Sequence, residues 1–189
     1  MLPMLATPGE LPTGTGWAYE FTWDGIRALV DIHAGQLQIT SSNDNDITAA
    51  YPELAGLATI SEDALIDGEI VAFSRGRPSF SALQSRMHVR GRQVKALART
   101  TPVTLLAFDI LRLYGVDLAE RPYAERRATL ERLGLQGAHW TVPPAFDDGP
   151  ATASASLEQG LEGVVAKRLG STYRPGQRSP DWIAVQHNR

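Results

Sequence analysis

Two of the most apolar runs in this chain carry carboxylates in their middles: ALIDGEIVAF over residues 64–73 and VTLLAFDILRL over 103–113. Both are short, rich in branched residues and strand-like. A carboxylate in a half-buried strand is unfavourable unless it is paired, hydrogen-bonded or bound to a cation. The fold must therefore bring partners to Asp67, Glu69 and Asp109. Further strand-like stretches cover 17–23, then 27–32 and 36–39 across an Ala34-Gly35 turn, then 163–168 and 182–186. Helical patterns cover 79–87, 93–99, 123–133 and 152–159. Residues 1–16, rich in Pro, Gly and Thr, read as an irregular lead-in, and Pro143-Pro144 as a loop. Strands linked by turns, with helices placed irregularly, predict an α+β domain of largely antiparallel sheets with flanking helices. Strict β-α-β alternation and a glycine-rich phosphate loop are both absent, which argues against a doubly wound nucleotide fold.

The 189 residues are enough for one domain with a full core. No apolar run reaches the length of a bilayer span, so membrane partners are not expected. Residues 1–16 have no basic flank and no continuous apolar stretch, unlike a secretory signal. With no cysteine in the chain, disulfides and thiolate metal sites are excluded and the expected address is cytoplasmic. The net charge of −3 is unevenly spread. Residues 75–99 hold seven Lys or Arg (Arg75, Arg77, Arg86, Arg90, Arg92, Lys95 and Arg99) and no acid, so the remainder carries −10. Such a stretch is either a phosphate-facing surface or a solvated one. Only Lys95 and Lys167 are lysines; the other sixteen basic residues are arginines. A pocket that needs several lysines is already hard to build.

Four segments set acids or a cation among apolar neighbours: Trp23-Asp24-Gly25-Ile26-Arg27, Asp67-Gly68-Glu69, Phe108-Asp109, and Glu162-Gly163-Val164-Val165-Ala166-Lys167. If they converge on one groove, their oxygens suit Mg²⁺ held together with a polyphosphate. The alternative is a set of structural ion pairs at strand ends, Asp24 with Arg27 and Glu162 with Lys167.

In order and spacing these segments resemble the shared motifs of the covalent nucleotidyltransferases, the DNA ligases and capping enzymes. The lead-in PMLATPGELPTGTGWAYEF and the segments NDNDITAAYPEL, FSALQSR, FDIL, EGVVAKR and YRPGQRSPDW are similar to the bacterial ATP-dependent ligases of end-joining repair, the ligase D type. The resemblance covers essentially the whole chain. It implies an ATP-grasp-like α+β nucleotidyltransferase (adenylation) domain over residues 1–189, without the oligonucleotide-binding-fold domain that follows in a complete ligase. It also implies ATP and Mg²⁺ as cofactors, with DNA and other end-joining repair proteins as partners. Carried over by position, Glu20 and Phe108 would lie at the adenine, the ring stacking on the base. Glu69 would sit at the ribose or metal and Glu162 at the metal. Lys167 would contact the AMP phosphate, and Arg27 would lie near the nucleotide.

The chain departs from the family where charge and reactivity matter most. The family's first motif, Lys-x-Asp-Gly-x-Arg, places the nucleophilic lysine where this chain has Thr22. A threonine hydroxyl is a weak nucleophile without an adjacent base. The next arginine position is Ser42, and Asp44 replaces the glycine of that turn. The last motif, Trp-x-Lys-x-Lys, reads Trp182-Ile183-Ala184-Val185-Gln186, so Ala184 and Gln186 stand for both lysines. Three functions are compatible with this pattern, and the second of them is the one expected. They are an active adenylation domain, a ligase-like pseudoenzyme that binds nucleotide or DNA without forming lysyl-AMP, and a repair-complex interaction module with a vestigial pocket. For DNA, the expected contacts are Arg75, Arg77, Arg90, Arg92 and Lys95, giving weak and non-specific binding.

Overall fold

Ala28, Val30 and Ile32 pack into one apolar layer while Leu29, between them, packs into another. This period-two alternation divides the interior in two. The computed structural model describes residues 1–188. Its first half contains β1 (Leu5–Pro8), β2 (Trp17–Phe21), β3 (Ile26–His33), β4 (Gln36–Ser41), β5 (Asp63–Ser74) and β6 (Arg77–Pro78). Helices α1 (Phe80–Gln84) and α2 (Gln93–Thr100) lead to β7 (Val103–Leu113) and β8 (Val116–Asp117). Then come α3 (Tyr123–Arg132), β9 (Trp140–Thr141), α4 (Gly149–Glu158), β10 (Gly163–Arg168) and β11 (Arg178–Gln186).

The larger sheet runs β4-β3-β5-β7-β8, with β6 on β5 and β9 on β7; the smaller runs β1-β11-β10-β2. All strand pairs are antiparallel except β1 with β11 and β7 with β9. One face of the large sheet packs on Leu54, Leu57, Leu83 and Leu130 from the flanking helical segments. The other face meets the small sheet through Leu29, Leu65, Leu111, Met4, Tyr173 and Trp182. Trp17, Tyr19 and Ala166 cover the small sheet's outer face.

The α+β architecture matches expectation, with local corrections. Residues 5–8, expected as irregular, form the parallel edge strand β1. The helix expected over 79–87 shortens to Phe80–Gln84, with the Ser79 hydroxyl capping the Ala82 N–H at 3.1 Å. Arg86 beyond it is 1% exposed and grips Glu53 through two nitrogens at 2.5 and 2.8 Å. It belongs to the fold and not to the basic surface.

Candidate functional site

A cavity of about 190 Å³ opens where the two sheets face each other, lined by Ala6, Glu20, Phe21, Thr22, Trp23, Arg27, Glu69, Phe108, Val165, Lys167 and Trp182. Strand alternation explains who faces it. On β10, Val165 and Lys167 share one face. Across the ladder, Val165 sits opposite Glu20 and Ala184, and Lys167 opposite Trp182. Thr22 continues the Glu20 face two residues on, its N–H bonded to the Gly163 carbonyl at 2.9 Å.

Phe108 reaches the cavity through a β-bulge. Asp67 pairs with Asp109 and Gly68 with Ala107, so Phe108 is the extra residue of β7. Bulges re-aim side chains in this way. The glycines of two motifs are fixed by packing: a Cβ on Gly25 would lie 2.1 Å from the Ile70 carbonyl oxygen, and one on Gly163 would lie 1.9 Å from that of Val185.

The two cations of the wall are already neutralised. Arg27 donates from Nε and Nη2 to Asp67 at 2.7 and 2.6 Å, and Nη2 also reaches the Met4 carbonyl at 2.8 Å. Asp67 also accepts from the Tyr173 hydroxyl at 2.6 Å. Lys167, 3% exposed, donates to Glu20 Oε1 at 3.1 Å. The other Glu20 oxygen takes the Tyr123 hydroxyl, and Arg127 stands 3.6 Å from Oε1. The Lys167 Nζ also lies 4.2 Å from the ring centroids of both Phe108 and Trp182, well inside cation–π range. Burial pulls the Lys167 ammonium below its ordinary value, against the opposing pull of Glu20 and Asp109. A third ion pair, Asp109 with Arg126 at 2.8 Å, has both side chains at 0% exposure.

Glu69 is the exception among the wall's carboxyls. Burial pushes it up to about 8, with the neighbouring Asp67 and Asp24 adding to the rise and Arg27 opposing it. Near neutral pH it is mainly a protonated acid, a donor as well as an acceptor.

Six of the expected site residues therefore meet: Glu20, Thr22, Arg27, Glu69, Phe108 and Lys167. The alternative pairing along the motifs does not occur, because Arg27 takes Asp67 instead of Asp24 and Lys167 takes Glu20 instead of Glu162. Strand neighbours across the sheet are closer than neighbours along the chain. Glu162 is not in the cavity wall. Among the described residues no group of three or more His, Cys, Asp or Glu is placed to hold a metal ion. Of the two acids that the resemblance places at Mg²⁺, Glu69 is in the cavity wall and Glu162 is not. The Thr22 hydroxyl makes no hydrogen bond among the described residues, so no base activates it.

Ser42 lines a different, open cleft of about 1120 Å³ between the turn after β4 and residues 87–95, together with Arg27, Arg90 and Lys95. Asp44 adopts φ +63° there. An aspartate tolerates this left-handed conformation, which preserves the turn without its glycine. Ala184 and Gln186 alternate with Ile183 and Val185, so they share the Trp182 face of β11. Trp182 itself, Trp23 and Val165 were not singled out from sequence as wall residues. The ladder placing Trp182 opposite Lys167 was the missing signal.

The model of the ATP dependent DNA ligase domain matches residues 3–185. The chain belongs to that family. It is 40% identical over 187 residues to the multifunctional non-homologous end joining protein LigD of Mycolicibacterium smegmatis, covering 96% of this chain and 23% of that protein. It is 36% identical to DNA ligase C2 of the same organism, over 99% of this chain and 54% of the relative. The structure of mycobacterial DNA ligase D complexed with ATP and MES superposes with a TM-score of 0.83 at 38% identity, covering 98% of this chain and 60% of that one. The chain thus spans about a quarter to a half of these curated relatives. No helix among the described residues is long and apolar enough to cross a membrane.

Proposed function

We propose that this ligase-type nucleotidyltransferase domain serves DNA end joining, in a cytoplasmic setting, as a pseudoenzyme. It binds nucleotide or DNA without forming a covalent lysyl-adenylate. One observation carries the reading: Thr22, at the nucleophile position, lines the cavity with no base on its hydroxyl, while both wall cations are bound to carboxylates. Phosphoryl transfer is mostly positioning and charge stabilisation. Here the nucleophile is weak, and the charge that should oppose a triphosphate is already spoken for.

On this reading Phe108 offers its ring edge or remaining face to a base, and Glu69 offers a carboxyl to a sugar or base. Lys167 and Arg27 hold the wall together. DNA contact falls to Arg75, Arg77, Arg90, Arg92 and Lys95, all exposed. Arg90 and Lys95 stand at the open cleft. Contacts of this kind read phosphates and not bases, so binding should be weak and non-specific. Other end-joining repair proteins are the expected company.

A vestigial pocket in an interaction module is the second reading. It is favoured because each retained motif residue with an assigned partner also serves packing: Asp67 holds Arg27, Glu20 holds Lys167, and Gly25 and Gly163 admit backbone carbonyls. Labelled ATP with Mg²⁺ separates these readings from an active domain. No acid-labile protein adduct on a denaturing gel, with saturable binding at equilibrium, is expected. A stoichiometric adduct on any residue overturns the pseudoenzyme reading, and neither adduct nor binding favours the vestigial pocket.

A further inference from the structure

Resting on the DNA-binding part of the proposed function, we infer that the open cleft beside the turn after β4 takes an unpaired DNA strand in preference to a duplex. Its phosphates run along one wall and its bases lie on the floor. The two walls differ in chemistry. Arg90 and Lys95 line one side, both exposed and without an ion pair or side-chain hydrogen bond among the described residues. The facing wall has no Lys or Arg over residues 41–47. Ser42, Asn43 and Asn45 present hydroxyl and amide groups there that make no hydrogen bond among the described residues. Asp46 beside them is held by the Thr48 N–H and hydroxyl at 3.0 and 2.7 Å. Arg27, the third cation at the cleft, is committed to Asp67. A phosphate backbone is therefore drawn to the Arg90 side and repelled from the Asp46 side.

Between the walls the lining is apolar. Ile26, Ile47, Phe80 and Met87 line the cleft and are half-buried against the main core, which holds their outer surfaces in place. A duplex keeps its base faces stacked inside and offers only phosphates and groove edges, so this floor gains nothing from it. An unpaired strand has phosphates along one edge and base faces on the other. Base faces rest on apolar and aromatic side chains without regard to sequence. Phe80 and the exposed imidazole of His88 are the rings at hand. His88 is held at φ +63°, uncommon for a residue other than glycine. Backbone strain of this kind clusters at ligand-binding sites.

Size and wall chemistry favour this occupant over others. At about 1120 Å³ the open cleft exceeds the roughly 300–1,000 Å³ of enclosed small-molecule sites, as a chain-like ligand requires. An acidic, apolar peptide would also meet the cations and the floor. It would leave the groups of Ser42, Asn43 and Asn45 facing aliphatic side chains, whereas base edges carry donors and acceptors for them. The planar guanidinium of Arg90 likewise matches a phosphate through two N–H groups.

The test is fluorescence anisotropy of the intact chain with a labelled oligothymidylate of about twelve nucleotides and a mixed-sequence duplex of the same length, each across a salt series. The single strand should bind about tenfold tighter than the duplex, the gain of one stacked base. Its log–log salt slope should be about −1.4, for two phosphates at Arg90 and Lys95. Duplex binding as tight as the single strand, or tighter, overturns the inference and leaves the DNA-binding part of the proposed function standing. No binding of either overturns both. A labelled Glu-Leu repeat peptide that binds as tightly as the single strand also overturns the inference, and makes the cleft a protein-docking surface. Lys95→Ala should reduce the single-strand slope by about 0.7. Val89→Asp sets a carboxylate in the lining at a residue outside the packed core clusters, and should weaken single-strand binding about tenfold and duplex binding less. His88→Gly removes the ring at a φ that glycine adopts readily, and should weaken single-strand binding several-fold with duplex binding unchanged. Thermal melts confirm that both variants fold. Unchanged single-strand affinity in the two folded variants overturns the inference.

Discussion

Around the inter-sheet cavity, Arg27, Lys167 and Arg126 each lie within 3.1 Å of a carboxylate. On the surface, Arg75, Arg77, Arg90, Arg92, Lys95 and Arg99 are exposed and form no ion pair among the described residues. The chain is acidic overall, yet among the described residues its ion pairs involve other cations, Arg86 of the same stretch included, and leave these six unmatched. Charge around the cavity is committed to architecture, while the exposed cations of this stretch are left available. The resemblance implies further cations at Thr22, Ser42, Ala184 and Gln186 in a working adenylation domain; of these positions Thr22 lines the cavity and Ser42 the open cleft. Motif residues that survive are mostly those with a second, structural duty.

The sharpest way to break the comparison is to remove one partner of a fully buried pair. Asp109→Ala leaves Arg126 charged and unpaired, and such a loss typically amounts to about 3–5 kcal/mol. Arg92→Ala, on the exposed side, should stay within about 0.5 kcal/mol of the parent. Urea unfolding of both variants checks this. Equal effects would mean that the buried and exposed charges are not energetically distinct.

Much of this division was legible before any coordinates. The acids inside ALIDGEIVAF and VTLLAFDILRL demanded partners, and the structure supplies Arg27 to Asp67 and Arg126 to Asp109. Strands 103–113 and 163–168 have the expected bounds, because their apolar alternation is strong. The particular partners were not legible. Lys167 meets Glu20 because β10 lies beside β2, a pairing of residues 147 positions apart. Likewise β1 owes its existence to the edge of β11, which propensity along residues 1–16 does not encode. The bulge that turns Phe108 into the cavity depends on a register shift that local sequence does not announce.

Restoring chemistry is the next largest effect. Thr22→Lys places an amine in the cavity wall but leaves Ala184 and Gln186 uncharged, and each missing transition-state donor typically reduces rate by about 10²–10³. The single variant should therefore show little adduct with ATP and Mg²⁺. The triple variant with Ala184→Lys and Gln186→Lys should show more than Thr22→Lys or the lysine pair alone. Full activity from Thr22→Lys by itself would show that the last motif does not limit this chain.

Glu69 offers a smaller, pH-dependent effect. Its folded value, about 8, lies above its ordinary 4.5. An acid whose folded value is raised binds its proton more tightly in the native state. It therefore contributes stability that is fully present below the unfolded value and is lost as pH rises through about 4.5 to 8. One proton sets a ceiling of about 1.4 kcal/mol per pH unit in that window. Glu69→Gln should flatten the fall in stability between pH 5 and 8 and make the variant the more stable of the two at pH 8. Parallel pH profiles would place the ionised carboxylate comfortably in the cavity.

The smallest effect concerns the exposed cations, and it decides whether availability means use. Arg90 lines the open cleft with Lys95, whereas Arg92 is the N-cap of α2 and makes no side-chain capping bond. Arg90→Glu/Arg92→Glu therefore breaks no recorded hydrogen bond or ion pair, and an acid at the start of a helix is favourable in itself. Any change in DNA binding is then a surface effect and not a folding one. Each neutralised duplex phosphate contributes about −0.9 to the slope of log affinity against log salt. Arg75 and Arg77 sit at the β5–β6 turn, Arg77 near Gly160, and outside the cleft that Arg90 and Lys95 line. Binding of duplex by the parent should be weak, with a shallow slope. The double reversal should weaken it further and reduce the slope by up to about 1.8, the share of two contacts. Unchanged affinity and slope across a salt series would make residues 75–99 a solvated face. The cations left unmatched by the acids would then serve solubility rather than DNA.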